Sequence, residues 1–364
     1  MKYSPQLDGL RGVAIVIVMI FHAGVPYFEG GFIGVDIFFV LSGFLITLLL
    51  LQEHEKYQSV SLKNFYARRI LRLAPALFLL LFTFCVYSFI WIDEAKATSN
   101  YIDALISLFY LSNWSRAMSI HPPDFLGHTW SLSIEEQFYF LWPLTLLAML
   151  SLSKRLKYVF AMTALLAVSS WFLRIYMSLN GATVERLYNG LDTRADALMV
   201  GCALAVLFHQ WHEKGIDLCR FRRWISFGAM LASICLLIIV YRGNWRDTYM
   251  YYFGFFAVEI FVAVLLVEIL TNPKGLFCVL LSKKWLVWIG SISYGLYLWH
   301  YPIFHVLRGY GAGTWTVVFA GFAITFCVAV ISYYALERPM LRFRRYFLHK
   351  PPNHRMTRAV LGGG

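Results

Sequence analysis

The sequence predicts an all-α protein, a polytopic membrane bundle of about ten transmembrane helices with both termini cytoplasmic, and three observations carry that prediction. The chain of 364 residues is 59% hydrophobic and only 14% charged, and its mean hydropathy of +0.62 lies well above that of water-soluble domains. Apolar runs of about twenty residues recur along the chain, the length a helix needs to cross a hydrocarbon core about 30 Å thick. Lysines and arginines concentrate in alternate connecting segments, the positive-inside pattern. That asymmetry fixes the orientation and absorbs most of the net charge of +12, so no nucleic-acid partner is expected.

The runs give spans at 10–26, 32–51, 74–92, 131–150, 157–177, 194–210, 225–241, 252–270, 287–306 and 315–336. The first carries Arg11 and His22 and continues directly towards a second span, so it reads as a transmembrane helix and not as a cleavable signal. Before the third span, "SLKNFYARRILRLAPAL" (61–77) reads as an interfacial basic helix. Phe65, Ile70 and Leu73 lie on one side, Arg68, Arg69 and Arg72 follow at helical spacing, and the chain turns into the span at Pro75. The longest outward segment, 93–130, holds "IDALISLFYLSNW" (102–114), which suits a half-helix or a re-entrant piece. One membrane domain thus covers 1–340, and a basic cytoplasmic tail, 341–364, is expected to fray into disorder. The cysteines at 85, 202, 219, 235, 278 and 327 form no C-x-x-C pair and read as small apolar fillers. No internal repeat is evident, which weakens an inverted-repeat transporter reading.

Ionisable groups inside apolar spans are costly and default to functional candidates. Arg11 and His22 are separated by three helical turns plus about 20°, so they share one face roughly 16 Å apart. The bland alternative is an arginine that snorkels and a histidine that packs on a polar neighbour. His300 in the ninth span is expected at nearly the same depth as His22, which brings two histidines to one level. Glu135 and Glu136 open the fourth span, and being adjacent they must face apart. Glu136 is the candidate to orient a histidine, with a helix-dipole role as the alternative, especially for Glu135. Asp36, Arg194 and Asp196 lie near the outer starts of their spans, where a salt bridge that only ties helices together competes evenly with a catalytic, acceptor-side role, and Ser42 lies two turns deeper than Asp36 as a further acceptor-side candidate. Arg11, Arg68, Arg69 and Arg72 make a basic cluster suited to phosphates. Nucleophile elbow, Walker loop and zinc-spaced His/Cys cluster are all missing, so no metal is expected.

Taken together, "LDGLRGVAIVIVMIFH" (7–22), "GFIGVDIFFVLSGFLI" (31–46), "FYARRILRLAP" (65–75), "HTWSLSIEEQFYFLWP" (128–143), "RADALMVG" (194–201) and "SISYGLYLWHYP" (291–302) resemble acyltransferase family three, membrane enzymes that O-acylate cell-surface sugars. The resemblance implies a bundle of about ten helices in the bacterial cytoplasmic membrane, an acyl-CoA donor, acetyl-CoA by default, and a carbohydrate acceptor on the outer face. It implies that His22 is catalytic, that Arg11 engages the donor, and that Arg68, Arg69 and Arg72 belong to the donor side, with Glu136 or His300 orienting His22. Some members carry a fused extracytoplasmic esterase-like domain of the Gly-Asp-Ser-Leu class, which these residues do not include. Direct transfer and transfer through a separate extracytoplasmic transferase both stay open. The rival reading is a transporter or flippase for a lipid-linked or acylated substrate, with the same buried charges serving proton coupling. The split of acids outward and arginines inward favours a donor and acceptor arrangement instead.

Overall fold

The computed structural model describes residues 4–153 and 155–343, and every regular element among them is helical. Helix α1 (Pro5–His22) starts on a proline, which has no N–H to leave unsatisfied in the first turn. A 3-10 turn at Glu29–Ile33 leads into α2 (Gly34–Tyr57), and α3 (Leu62–Trp91) follows, its first turn capped by Ser61. Two shorter helices, α4 (Glu94–Leu108) and α5 (Ser112–Ala117), precede α6 (Thr129–Leu152) and α7 (Leu156–Leu179). After α8 (Val184–Asn189) come α9 (Leu191–Glu213), α10 (Arg222–Arg242) and α11 (Phe255–Thr271), the last entered through a π turn. The chain then folds α12 (Leu276–Leu281), α13 (Lys284–Ser291) and α14 (Ser293–Gly309). A final run holds α15 (Thr314–Thr316), α16 (Phe322–Ser332) and α17 (Arg338–Arg342), joined by π turns.

Among the described residues, 7 stretches are long and apolar enough to cross a membrane: α1, Glu29–Tyr57, α3, α7, α10, Met250–Thr271 and Thr314–Arg342. The other expected spans coincide with α6, α9 and the α13–α14 pair, which are helical but carry more polar side chains or, at Ile292, a break.

Two local expectations change, and a third takes a definite form. Pro75 does not turn the chain, because it sits inside the 30-residue α3. Its missing N–H costs one ladder bond to Leu71, and the long apolar run beyond it packs well enough to carry the helix through. Ile70 is exposed whereas Phe65 is buried, so the apolar residues of this basic segment do not form one face. The 102–114 stretch divides between α4 and α5, neither of which is long enough to span. Of the expected tail, residues 344–364 lie outside the described residues.

Close backbone contact sets the helix arrangement. A Cβ on Gly43 of α2 would run into the Leu198 carbonyl of α9, and one on Gly201 of α9 would run into the Val40 carbonyl of α2. Small residues let these two helices touch backbone to backbone. Elsewhere in the bundle, Gly290 of α13 sits against the Asp8 backbone of α1, and His22 meets His300 further along. The α13–α14 pair therefore runs parallel to α1 and brings His300 to its C-terminal end. Gly43→Ala and Gly201→Ala should each destabilise the protein by about 1–3 kcal/mol. Gly309→Ala, with open space around it, should not. Thermal unfolding in detergent measures all three.

Candidate active site

The last turn of α1 and the middle of α14 build a chain of hydrogen bonds whose direction can be read from its end. His300 is fully buried, and its Nδ1 lies 2.6 Å from the Tyr297 carbonyl and 3.1 Å from the Leu296 carbonyl. A carbonyl only accepts, so Nδ1 carries the proton and Nε2 of the neutral ring is an acceptor. His22 Nδ1 stands 2.9 Å from that Nε2 and therefore donates to it. The neutral His22 ring is left with its lone pair on Nε2, the form a general base or nucleophile requires. His22 is half-buried, with Tyr301 edge-on at 5.1 Å between ring centroids. His128 stacks on Tyr301, also at 5.1 Å, and is itself buried. Arg308 donates to the His22 carbonyl at 2.7 Å, which satisfies one of the open carbonyls at the end of α1.

Back along the same helices lies a pocket. Arg11 of α1, Ser42 of α2, Arg69 and Arg72 of α3, Glu135 and Tyr139 of α6, and Tyr294 and Tyr297 of α14 are among its lining residues. Arg11 pairs with Asp8 at 3.2 Å, and the Arg69 guanidinium rests on the Tyr139 ring, 4.4 Å from its centroid. Ser42 donates to Glu135 at 2.7 Å and accepts from Tyr139 at 3.0 Å. Ser131 and Tyr297 also line the pocket, and their hydroxyls bond at 2.6 Å. The Tyr297 hydroxyl donates to the His128 carbonyl at 2.9 Å, and its ring centroid lies 5.4 Å from that of His300. Tyr297 is therefore a wall shared by the arginine pocket and the histidine pair.

The structure redistributes the candidate residues. His22 and His300 meet, and Arg11, Arg69, Arg72 and Ser42 face one pocket. Arg68 turns away from it to Glu53 on α2, at 3.4 Å. Glu136 has no hydrogen bond or ion pair to either histidine among the described residues. It is Glu135 that faces the pocket, since side chains adjacent in a helix diverge by about 100°. Nor is Glu135 a helix-end acid, because α6 begins at Thr129 and has no acid in its first turn. Asp36 pairs with Arg194 at 2.5 Å, while Asp196 pairs with a different partner, Arg174 of α7, at 2.6 Å. All four side chains are fully buried and none lines the pocket, so they tie α2, α7 and α9 together. Arg174, His128 and Tyr297 escaped the sequence reading. A charge inside a span was a visible signal for Arg174, but no sequence pattern distinguishes Tyr297 from the other aromatic residues of its helix.

A family profile described as an acyltransferase domain matches residues 4–334. The chain belongs to that family of membrane acyltransferases, acyltransferase family three. Among similar proteins, the peptidoglycan O-acetyltransferase OatA of Listeria monocytogenes is 36% identical over 363 residues, covering 95% of this chain and 57% of that protein. The putative peptidoglycan O-acetyltransferase YrhL of Bacillus subtilis is 33% identical over 379 residues, covering 99% of this chain and 59% of its own length. The O-acetyltransferase OatA of Staphylococcus aureus is 32% identical over 374 residues, covering 99% and 61%. The chain thus spans roughly three fifths of the relatives it matches. No solved structure matches it.

Removing one partner of a fully buried ion pair strands a charge. Arg194→Ala should lower stability by about 3–5 kcal/mol, and Asp36→Leu combined with Arg194→Met should recover most of that loss. Thermal unfolding of the purified variants measures the coupling.

Proposed function

We propose that this chain is an integral membrane O-acyltransferase that moves an acyl group, acetyl by default, from cytoplasmic acyl-CoA to a carbohydrate hydroxyl on the outer face. The observation that carries the reading is the His22–His300 hydrogen-bond chain, fixed at the end of α1 beyond a pocket lined by Arg11, Arg69 and Arg72. In this reading α6, α9 and α13–α14 complete ten spans, both termini are cytoplasmic, and the membrane is the bacterial cytoplasmic membrane. The names of the similar proteins make peptidoglycan the first acceptor to test.

The three arginines bind the donor's phosphates, and guanidinium groups suit them because they are always charged and offer several N–H donors in a fixed geometry. An extended pantetheine arm covers about the roughly 16 Å between Arg11 and His22, so the thioester reaches the histidines while the nucleotide stays on the arginines. His22 Nε2 accepts the proton of the acceptor hydroxyl as its oxygen bonds to the thioester carbonyl carbon. The C–S bond then breaks, and the departing thiolate takes that proton from His22, so the products are the O-acyl sugar and free CoA. His300, held by the Tyr297 carbonyl, keeps His22 in the tautomer with Nε2 open and disperses the positive charge that develops on it. Arg68 supports the donor side indirectly, by anchoring α3 to Glu53. A transporter has less support, since the acid in the pocket is bonded to Ser42 and stands among arginines.

The test is transfer of labelled acetyl from acetyl-CoA to peptidoglycan fragments across proteoliposomes of the purified full chain. His22→Ala should lower the rate by a factor of about 100 or more. Arg69→Ala and Arg72→Ala should raise the donor KM and leave the acceptor KM unchanged. Wild-type transfer by His22→Ala would overturn the assignment.

A further inference from the structure

Helices α2 and α9 also meet where they end, far along the chain from the histidine pair. His209 and Glu213 are one turn apart on α9, so their side chains leave the same face, and Glu55 arrives from the last turn of α2. His209 Nε2 lies 3.6 Å from Glu213 Oε1 and 3.8 Å from Glu55 Oε2. The three donor atoms fall within 4.8 Å of one another. The imidazole is only 8% exposed, while the carboxylates of Glu55 and Glu213 are 58% and 44% exposed. A nitrogen is thus offered from the protein interior, and two oxygens converge on it from the surface.

Hydrogen bonding does not account for this convergence. Both separations exceed hydrogen-bond length, and a single N–H at Nε2 serves one acceptor well, not two. The imidazole is held in the protein interior with two carboxylates aimed at its Nε2. One cation between the three atoms satisfies all of them. In a tetrahedral zinc site with bonds of about 2.0–2.1 Å, neighbouring ligand atoms stand roughly 3.3 Å apart, so each carboxylate need approach the imidazole by only a few tenths of an ångström, and the two exposed glutamates, within 4.8 Å of each other, close the remaining gap by up to about 1.5 Å.

We propose that Glu55, His209 and Glu213 bind a divalent transition-metal ion, with Zn2+ matching the one-nitrogen, two-oxygen donor set. The ion clamps the ends of α2 and α9. Glu53, two residues before Glu55, holds Arg68 at the base of α3, so the clamp also steadies the helix that carries Arg69 and Arg72. The site stands apart from the catalytic reading and does not depend on it.

The test uses the full chain in detergent, without an affinity tag, stripped by a chelator and then titrated with ZnCl2. The wild type should bind one equivalent of Zn2+ tightly, with a rise in Tm that a chelator reverses. Glu55→Gln, at an exposed position that leaves the packing intact, should bind at least about tenfold more weakly, and His209→Ala should lose the site. A wild type that neither retains Zn2+ nor gains Tm overturns the proposal. So does Zn2+ binding that Glu55→Gln and His209→Ala leave unchanged, since the metal would then sit elsewhere.

Discussion

A charge inside hydrocarbon must be met by protein, because lipid offers it nothing, and this constraint organises the bundle. Asp36 with Arg194 and Asp196 with Arg174 are completely enclosed, and each pair bridges two helices. The Arg194 guanidinium also lies 3.8 Å from the centre of the Phe255 ring on α11, so its face is covered as well as its edge. Such pairs bring little net stability, since desolvation offsets most of their attraction. What they impose is register: a slide of α9 by one turn would strand two charges against α2 and two more against α7. The contact of Gly43 and Gly201 with the facing backbones adds steric definition to that electrostatic one.

On this frame the pocket and the histidine pair collect two different kinds of polar group. Fixed positive charge gathers on α1 and α3, while the titratable imidazoles gather where α1 and α14 meet. Three turns of α1 hold the two apart, roughly 16 Å along the helix. Backbone carbonyls, which never change protonation state, anchor the hydrogen-bond chain at Tyr297 and Leu296. A carboxylate in their place would be a less predictable anchor in a low-dielectric interior.

Much of this was legible in the sequence, and the limits have physical causes. The helices, the shared face of Arg11 and His22 and the nearness of His300 follow from helical geometry, which depends on spacing alone. Membership of the acyltransferase family was visible in several short motifs in fixed order. Partner choice was not legible. That Asp196 pairs with Arg174, and Arg68 with Glu53, depends on how helices rotate about their axes, and a few tens of degrees exchange one neighbour for another. Glu135 and Glu136 show the same limit, since adjacency says that they diverge and leaves open which one faces inward. Pro75 misled for a different reason: the rule that proline ends helices is local, and tertiary packing outweighed the loss of one hydrogen bond.

The bridge between Ser131 and Tyr297 has a consequence for the cell and not only for chemistry. A polar hollow in a membrane protein is a hazard, because a continuous file of water across the bilayer would dissipate ion and proton gradients. The two hydroxyls bond to each other and Tyr297 is tied to the His128 carbonyl, so this wall of the hollow is held by two hydrogen bonds that an arriving ligand can displace. Tyrosine suits that place: its ring fills the cross-section, and its hydroxyl offers an easily broken latch. A hydrogen-bonded wall at this point is the kind of device that lets a bundle hold polar groups at depth without lining them up into one continuous file.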